Sequence, residues 1–358
     1  MPITPSFWKN KRVLVTGHTG FKGSWLCLWL QSMGAQVHGL ALPPPTQQNL
    51  FNTARVSDGM VSTICDLRDL DAVGRCVALA QPEIVLHLAA QSLVRRSYAS
   101  PVETFDTNVM GTVHLLECAR HVVGLRCVVN VTTDKCYENR GGARPYTENE
   151  PMGGHDPYSS SKACSELVTA AYRRSFLAHA DIALASARAG NVIGGGDWAE
   201  DRLVPDVLRA LASGEPLLLR YPEATRPWQH VLEPLGGYLC LAERMWQEGN
   251  SCAEAFNFGP REGDVRSVRW IVERLAAAWG RPLAWALDAA TSPHEAQELH
   301  LDSAKAAQRL QWHPRWELET ALQRVVEWQA GWLGGTDARE LCLAQLADFQ
   351  NSPIQTTP

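Results

Sequence analysis

Several features that would assign a protein to a broad class are missing from this sequence of 358 residues. It contains no apolar stretch long enough to span a membrane, and its first residues lack the apolar core of a signal peptide. Lys and Arg number 33 against 38 Asp and Glu, with no long block of one sign, so no nucleic-acid-binding face is indicated. The 10 cysteines lack the spacing of zinc or redox motifs. We expect a cytoplasmic protein with reduced thiols and no metal site, nucleic-acid partner or membrane partner.

Short apolar runs alternate with helical patterns in the first half of the chain. The runs predict strands at 11–16, 36–40, 62–65, 83–88, 126–131 and 182–188. The segments between them predict helices at 21–33, 69–80, 102–120 and 158–177. This alternation predicts an α/β fold with a doubly wound parallel sheet of the Rossmann type.

The alternation ends after Gly190, where helices and short extended segments follow without a regular order. We therefore predict a Rossmann domain over 1–190, completed by elements that return from the C-terminal part. A smaller α+β substrate-binding lobe is predicted over 191–350, and a disordered tail over 351–358.

A glycine-rich turn, VTGHTGFKG, joins the first strand to the first helix. Gly17, Gly20 and Gly23 recur every third residue, with Thr19 and Phe21 between them. A turn at this place presents backbone N–H groups to a pyrophosphate and has no Cβ in the way. The pattern is similar to the fingerprint of the short-chain dehydrogenase/reductase superfamily. The alternative is a plain turn between two elements.

The adenosine end of a bound dinucleotide is harder to read. Asp66 ends the third strand and could accept the adenine amino group, or Asp66 or Asp69 could cap the next helix. The second strand ends without an acid for a ribose 2′-OH and without an Arg for a 2′-phosphate. These features favour NAD over NADP.

Two motifs carry groups able to move protons. YSSSK places Tyr158 and Lys162 four residues apart, on one helix face, where an ammonium can lower the pKa of a phenol. TTDKCY places Thr133, Asp134 and Lys135 directly after the fifth strand. Taken alone, the first motif is typical of an exposed helix pair and the second of a polar loop with a local ion pair. Their order after the glycine turn favours an active site.

With these motifs in view, the chain resembles the nucleotide-sugar 4,6-dehydratases of the extended short-chain dehydrogenase/reductase superfamily, in particular their CDP-glucose branch. The resemblance runs from about residue 8 to 332 and rests on TGHTGFKGSWL, HLAAQSLVRRSY, VTTDKCYEN, YSSSK, RAGNVIGGGDWAEDRLVPD, RPWQHVLEPL and FNFGP. It implies dehydration of CDP-glucose to CDP-4-keto-6-deoxyglucose with bound NAD, within deoxysugar and lipopolysaccharide O-antigen biosynthesis.

The resemblance implies a role for each catalytic candidate. Tyr158 takes the proton of the sugar 4-OH, Lys162 holds the nicotinamide ribose, and Thr133 hydrogen-bonds the 4-oxygen. Asp134 protonates the departing 6-OH and Lys135 removes the C5 proton. Related dTDP-glucose enzymes carry Glu at the third position, so one alternative stays open: a charged Lys135 beside another base, such as Glu138.

Further positions follow from the resemblance with less detail. It implies cofactor contacts from Asp66, Leu67, Leu88, Ala89, Ala90 and Asn108. It implies substrate contacts from Asn191 and Arg226, with Gln91 added to the substrate site. Arg96, Trp198 and Arg202 are further candidates, for each of which a structural role is an equal alternative. The segment 292–302 lacks the phosphate-binding Arg of related enzymes. The helices over 102–120 and 158–177 imply a homodimer through a four-helix interface.

Two other functions fit the superfamily. A nucleotide-sugar 4-epimerase needs Tyr158 and Lys162 but no adjacent acid and base, so Asp134 and Lys135 argue against it. A dinucleotide-sensing regulatory protein commonly loses the Tyr or the Lys, and this chain has both. His87, at the end of the fourth strand, is interpreted as a hydrogen-bonded core histidine.

Overall fold

A computed structural model describes residues 3–141, 144–288 and 299–354. The strands are β1 Arg12–Thr16, β2 Gln36–Ala41, β3 Met60–Ile64, β4 Ile84–His87, β5 Cys127–Val131, β6 Ala183–Ala189, β7 Asn191–Ile193, β8 Leu217–Leu219, β9 Thr225–His230, β10 Ala255–Phe258, β11 Val265–Ser267 and β12 Trp285–Leu287. The helices are α1 Pro5–Trp8, α2 Phe21–Ser32, α3 Leu50–Thr53, α4 Leu70–Ala80, α5 Val94–Ala99, α6 Pro101–Phe105, α7 Gly111–Ala119, α8 Pro157–Tyr172, α9 Leu203–Ser213, α10 Leu232–Glu248, α11 Val268–Trp279, α12 Ala304–Leu310, α13 Leu318–Leu333 and α14 Ala338–Asn351.

The central sheet has seven parallel strands in the order β10-β6-β5-β4-β1-β2-β3. The strand order reverses between β1 and β4, which opens a crevice at the carboxyl ends of these strands, where α/β folds bind ligands. The predicted α/β fold with a doubly wound parallel sheet is therefore confirmed. The seventh strand, β10, returns from the C-terminal part of the chain, and its last three residues begin the FNFGP motif.

Two helices that the sequence predicts as continuous change their winding. The predicted helix over 102–120 consists of α6, a π-helical turn Asp106–Met110 and α7. The predicted helix over 158–177 is α8 followed by a π-helical turn, Arg173–Leu177. A single π turn adds one residue to a helix and re-aims the side chains that follow it.

The C-terminal part builds a second, smaller core beside the sheet. Strands β7, β9 and β11 form one small sheet and β8 pairs with β12. Helices α9, α11 and α13 cover them, burying Val207, Leu211, Leu275, Leu322 and Val325. An α+β lobe was expected here, and its boundary at residue 191 stays a prediction.

The chain end and the helix lengths complete the description. Within the predicted tail, 351–358, Asn351 is the last residue of α14 and Ser352 accepts a hydrogen bond of 2.9 Å from Trp316 Nε1, so these two residues are held by the fold. Residues 355–358 lie outside the described residues. Over the described ranges, no helix combines the length and the apolar character needed to cross a membrane.

Candidate active site

The glycine turn between β1 and α2 is a cradle that side chains would fill. Gly17 has φ +76°, and a Cβ on it would lie 2.8 Å from the backbone of Ala89. A Cβ on Gly23 would overlap the carbonyl oxygen of Gly17. Gly20 is the N-cap residue of α2 and has no side chain to cap the N–H groups of the helix's first turn, which leaves them for a ligand. This arrangement fits a pyrophosphate at the helix N-terminus.

Two of the predicted cofactor contacts, Thr19 and Asp66, already have hydrogen-bond partners within the protein. The Thr19 hydroxyl donates to the carbonyl oxygen of Leu42 at 2.9 Å. The carboxylate of Asp66 is paired with Arg68 at 2.6 Å, and this hydrogen-bonded partner lowers the pKa of Asp66. Asp69, not Asp66, caps α4 by accepting from the N–H of Ala72 at 2.9 Å. The capping alternative is thus confirmed for Asp69.

The loop after β4 is held by two buried amide side chains. Asn108, on the first π turn, accepts from the N–H of Gln91 at 2.8 Å and donates to its carbonyl oxygen at 3.0 Å. The Gln91 side chain donates to the Thr104 hydroxyl at 3.0 Å. Both amides therefore shape the loop that carries Leu88, Ala89 and Ala90. Leu67 is buried, and a Cβ on Gly111 would lie 2.9 Å from its side chain.

The Tyr158–Lys162 pair lies inside the protein rather than on an exposed helix face. Asp156 caps α8 by accepting from the N–H of Ser159 at 2.9 Å, which fixes the first turn around Tyr158. Tyr158 is 8% exposed and Lys162 is 5% exposed. Lys162 Nζ donates to the carbonyl oxygen of Val131, at the end of β5, at 3.1 Å. Burial lowers the pKa of Lys162 to about 8.

The phenol itself differs from the sequence expectation. Burial raises the pKa of Tyr158 above its ordinary value, although a hydrogen bond with Thr133 acts in the opposite direction. The lowering expected from Lys162 is not found, because desolvation of the phenolate dominates. The effect of Thr133 on the Tyr158 pKa nevertheless links the two groups that the sequence assigned to one sugar oxygen.

Asp134 is a buried carboxyl group with one side unused. It is 1% exposed, and its Oδ1 accepts from the Thr133 hydroxyl at 3.0 Å. Its Oδ2 has no hydrogen-bond partner among the residues the structure describes. Burial raises the pKa of Asp134, and the opposing effects of Lys135, Thr133 and Arg226 are smaller. Asp134 is therefore suited to be a proton donor.

The two candidate bases, Lys135 and Glu138, differ in their position and in their exposure to solvent. Lys135 follows Asp134 on a 3₁₀ turn, Asp134–Cys136, and is half-buried. Glu138 is exposed, and its backbone N–H donates to the carbonyl oxygen of Pro151 at 2.9 Å. Lys135 thus lies closer along the chain to the acid and less open to solvent than Glu138.

A buried ion pair lies beside the strand end that carries Thr133 and Asp134. Arg188, on β6, forms a salt bridge of 2.8 Å with Glu166, on α8, and both side chains are 5% exposed. Glu166 also accepts from the hydroxyls of Thr132 at 2.5 Å and Ser186 at 2.6 Å. Burial raises the pKa of Glu166, but Arg188 and these donated hydrogen bonds outweigh it, so the pKa stands below its ordinary value.

Sequence reasoning missed this ion pair, although a signal existed. Glu166 lies one helical turn after Lys162, and Arg188 lies inside the apolar run of β6. A charged residue in a buried strand needs a partner. The Thr132 hydroxyl joins the pair directly to the strand end that carries Thr133 and Asp134.

The comparisons with known proteins agree with this geometry. The profile of the family described as GDP-mannose 4,6 dehydratase matches residues 14–325. The CDP-glucose 4,6-dehydratase of Salmonella typhimurium is 51% identical over 355 residues, which are 98% of this chain and 99% of that protein. The chain belongs to this dehydratase family.

More distant relatives cover almost the same span. DesIV, a dTDP-glucose 4,6-dehydratase of Streptomyces venezuelae solved with NAD bound, has a TM-score of 0.77 at 27% identity, covering 91% of this chain and 98% of that one. The UDP-glucose 4-epimerase of Mycolicibacterium smegmatis is 28% identical over 322 residues, 88% of this chain and 97% of that protein. The epimerase likeness is thus much weaker than the 51% identity to the dehydratase.

Two of the predicted substrate arginines act electrostatically on catalytic candidates, and a third lies at the surface. Arg226, on β9, is buried and acts on the pKa of Asp134, and Arg202 acts on the pKa of Tyr158. Arg202 also pairs with Asp197 at 3.1 Å. Arg96 lies on the surface, 54% exposed, where it pairs with Glu103 at 2.9 Å. Asn191 begins β7 and pairs with Trp228 of β9.

The second glycine-rich loop of this dehydratase, IGGGDW, is a packing junction. A Cβ on Gly194 would lie 3.0 Å from the Phe21 ring, and one on Gly196 would lie 2.6 Å from Leu50. Trp198 packs edge-on against Trp332 at a ring distance of 5.3 Å. These glycines therefore let the loop sit between the first helices and α13, and Trp198 has a structural contact there.

His87 behaves as the sequence predicted. Its Nδ1 is 2.6 Å from the Thr16 hydroxyl and its Nε2 is 3.2 Å from the Thr112 hydroxyl. Burial lowers the pKa of His87 to about 3. The interpretation as a hydrogen-bonded core histidine is confirmed.

Proposed function

We propose that this protein is a lyase that dehydrates CDP-D-glucose to CDP-4-keto-6-deoxy-D-glucose. The observation that carries the proposal is the corner at the end of β5. There Thr133 acts on the pKa of Tyr158 and donates a hydrogen bond of 3.0 Å to Oδ1 of the buried Asp134. Oδ2 of Asp134 has no partner among the described residues, and Lys135 is the next residue. An elimination needs such an acid beside a base, whereas an epimerisation does not. The 51% identity to a CDP-glucose 4,6-dehydratase supports the same substrate.

NAD is the cofactor that this site fits. The uncapped N-terminus of α2 and the closely packed Gly17 and Gly23 would hold its pyrophosphate, and Lys162 would hold the nicotinamide ribose. When bound, NAD takes a hydride from C4 of the sugar and gives it back at C6, so that no net oxidation occurs.

The chain's residues handle the protons of each step. Tyr158, as phenolate, takes the proton of the 4-OH, and Thr133 donates a hydrogen bond to the same oxygen. The resulting C4 ketone makes the C5 hydrogen acidic. Lys135, as neutral amine, removes that proton while Asp134 protonates the 6-OH. The C6–O bond then breaks, water leaves and a C5–C6 double bond forms. Lys135 finally returns a proton to C5 as C6 is reduced.

The competing assignment gives the C5 proton to Glu138 and keeps Lys135 as an ammonium beside the enolate. Solvent-deuterium exchange at C5 of the 4-keto-6-deoxy product separates the two. We expect Lys135→Met to abolish exchange and Glu138→Gln to leave it nearly intact, because Glu138 is exposed. The reverse pattern would make Lys135 an electrostatic partner only.

We assign the binding of the substrate's diphosphate to Arg202 and Arg226. Arg202 and Arg226 both act electrostatically on catalytic groups, and a guanidinium suits a phosphate oxygen pair. Asn191 and Gln91 are proposed as further contacts to the nucleotide sugar. Because Arg96 points to the surface beside Glu103, it is the weakest of the predicted contacts.

A homodimer is proposed through α6, α7 and α8. These helices and their π turns leave large apolar side chains exposed, namely Val102, Phe105, Met110, Leu167 and Phe176. Two copies of such a face form a four-helix interface. Light scattering should show a dimer that Leu167→Glu converts to a monomer, whereas Leu79→Glu, on α4 outside the three proposed interface helices, should stay dimeric. A monomeric wild type at micromolar concentration would contradict this proposal.

The cellular setting stays a prediction. All 10 cysteines are free thiols, as expected of a protein in the reducing cytoplasm. A role in deoxysugar biosynthesis, including that of lipopolysaccharide O-antigen, rests on the family resemblance.

Product analysis tests the proposed function directly. Purified protein is incubated with CDP-glucose and NAD, and the product is followed by mass and by the absorbance of the 4-keto sugar in alkali. We expect the mass to fall by one water. An unchanged mass with an inverted C4 centre would indicate the epimerase, and binding of NAD without turnover would indicate a sensor.

A further inference from the structure

The turn that follows β5 carries three catalytic candidates, yet its own hydrogen bonds are long. The backbone N–H groups of Lys135 and Cys136 donate to the hydroxyl and carbonyl oxygens of Thr133, each at 3.4 Å. Such bonds usually measure about 2.9–3.0 Å, so these two hold the turn weakly. A bond of 2.9 Å from the N–H of Gly153 to the carbonyl oxygen of Cys136 fixes its last residue. The placement of Asp134 and Lys135 therefore depends on the residues on either side of the turn.

The residues before and after this turn are held by the two members of one ion pair. Before it, the Thr132 hydroxyl donates to Glu166 Oε1 at 2.5 Å. After it, the Tyr137 hydroxyl accepts from Arg188 Nη1 at 2.8 Å, and the guanidinium lies 5.0 Å from the centroid of the Tyr137 ring. Glu166 and Arg188 form a salt bridge of 2.8 Å with each other. A single pair thus fixes both ends of the segment that carries the acid and the base candidates.

These contacts are shielded from water. Thr132, Tyr137, Glu166 and Arg188 are all between 1% and 6% exposed. The Tyr137 hydroxyl also donates to Asn257 Oδ1, on β10, at 2.7 Å. Hydrogen bonds to charged groups are stronger in such a medium of low dielectric constant than in water. The turn is thereby tied firmly to two strands of the central sheet, β6 and β10.

Glu166 also connects the turn to the helix that carries the other catalytic pair. On α8, Tyr158, Lys162 and Glu166 follow one another at intervals of four residues and share one helix face. Lys162 Nζ donates to the carbonyl oxygen of Val131 at 3.1 Å, and Glu166 accepts from the next residue, Thr132. Two consecutive residues at the end of β5 are therefore bound by consecutive turns of α8. This double contact sets the distance between the groups assigned to C4 of the sugar and those assigned to C5 and C6.

We infer that Glu166 and Arg188 are positioning residues for the elimination step. Through Thr132 and Tyr137 they hold the turn, with its acid and its base, against C6 and C5 of the sugar. This inference rests on the proposed function, since it concerns one step of that reaction. A reacting group misplaced by about 1 Å can cost a factor of about 100 in rate. Oxidation at C4 depends mainly on groups of α8, so a loosened turn should slow elimination more than oxidation.

Two substitutions each release one end of the turn and leave the ion pair in place. Thr132→Val deletes the hydroxyl that donates to Glu166, and Tyr137→Phe deletes the one that accepts from Arg188. In single turnovers of CDP-glucose, the absorbance of reduced nicotinamide follows oxidation at C4, and the mass of quenched samples follows the loss of water. Each variant should slow the loss of water roughly 10- to 100-fold, while oxidation at C4 changes little. Reduced nicotinamide should therefore accumulate before water is lost.

Two further variants serve as controls. Thr132→Ser keeps the hydroxyl and should restore the ratio of the two rates. Ser186→Ala removes another hydroxyl that donates to Glu166, at 2.6 Å, but Ser186 lies within β6 and not beside the turn. The ratio in Ser186→Ala should match that of the wild type, although this variant loses a hydrogen bond to the same carboxylate. Thermal melting compares the stability of all four variants.

A purely structural role would lower both rates together, through the fraction of folded protein. Equal slowing of oxidation and water loss in Thr132→Val and Tyr137→Phe would therefore overturn the inference, and so would an unchanged ratio. A ratio that falls as far in Ser186→Ala would also overturn it, because the effect would not require contact with the turn. Either substitution decides the question alone if the other prevents folding. If the wild type leaves the mass of CDP-glucose unchanged, the proposed function fails instead.

Discussion

Asp134 and Glu166 are both nearly inaccessible to solvent, 1% and 5% exposed, yet they are set up for different protonation states. Glu166 receives an Arg188 guanidinium and two hydroxyl donors, which favour its ionised form. Asp134 receives one hydroxyl donor and its Oδ2 has no partner among the described residues, so burial raises its pKa and favours the protonated form.

The difference shows how one corner of the fold separates support from chemistry. A buried carboxylate with a full set of partners holds structure, because its charge is compensated and cannot be changed cheaply. A buried carboxyl with an unused oxygen is ready to exchange a proton with a ligand. Thr132 and Thr133, adjacent on the chain, serve one acid each.

The largest expected effect is the loss of turnover when Tyr158 is substituted. Tyr158→Phe removes the phenol that takes the 4-OH proton and should lower turnover roughly 100- to 10,000-fold. Steady-state kinetics measure the loss, and calorimetry with NAD and CDP should show binding near that of the wild type. Turnover close to normal would show that Tyr158 is not the base.

Substitution of the structural acid, Glu166, should lower the stability of the protein. Glu166→Gln leaves Arg188 buried without its counterion and should reduce the free energy of unfolding by roughly 3–5 kcal/mol. Urea denaturation measures this loss. Glu103→Gln, which breaks the exposed pair with Arg96, is the control and should cost less than about 1 kcal/mol. Equal losses in the two variants would remove the distinction drawn for Glu166.

We expect Asp134 to make the reaction rate fall on the alkaline side of its pH profile, the alkaline limb. Its pKa is raised by burial, so the protonated donor is present below that pKa and is lost as the pH rises through it. Asp134→Asn should slow elimination roughly 100- to 1,000-fold and remove this limb, while single-turnover oxidation at C4 continues. Retention of the alkaline limb in Asp134→Asn would assign it to another group.

A third buried acid, Glu233, extends the comparison, and its substitution has a smaller expected effect. Glu233 accepts from the N–H groups of Arg315 and Trp316 at 3.0 and 2.7 Å, and burial raises its pKa from 4.5 to about 7. Its contribution to stability is complete below pH 4.5 and is lost as the pH rises to about 7. Over this window Glu233→Gln should flatten the fall in unfolding free energy by up to about 3 kcal/mol. Parallel curves in urea titrations would contradict this.

The parallel sheet and the Tyr158–Lys162 pair could be predicted because their signals are local. Buried strands give short apolar runs, and four-residue spacing fixes two side chains on one helix face. Burial of the pair and its contact with Thr133 could not be predicted, because they depend on how α8 packs against β5.

Other features depend on register and winding that the sequence does not show. The partnership of Glu166 with Arg188 requires α8 to lie over β6. The π turn at Asn108 interrupts a segment whose apolar pattern is continuous. Arg96 was expected at the substrate because of its motif, yet the short helix α5 directs it toward Glu103.

Infrared difference spectroscopy tests the central claim most directly, because it reports the protonation of single carboxyl groups. Over a series of pH values, the carbonyl band of a protonated carboxylic acid in the wild type minus Asp134→Asn spectrum should persist to higher pH than the corresponding band in the wild type minus Glu166→Gln spectrum. Loss of the Asp134 band at the same pH as the Glu166 band, or at a lower one, would contradict the account of how these two buried acids differ.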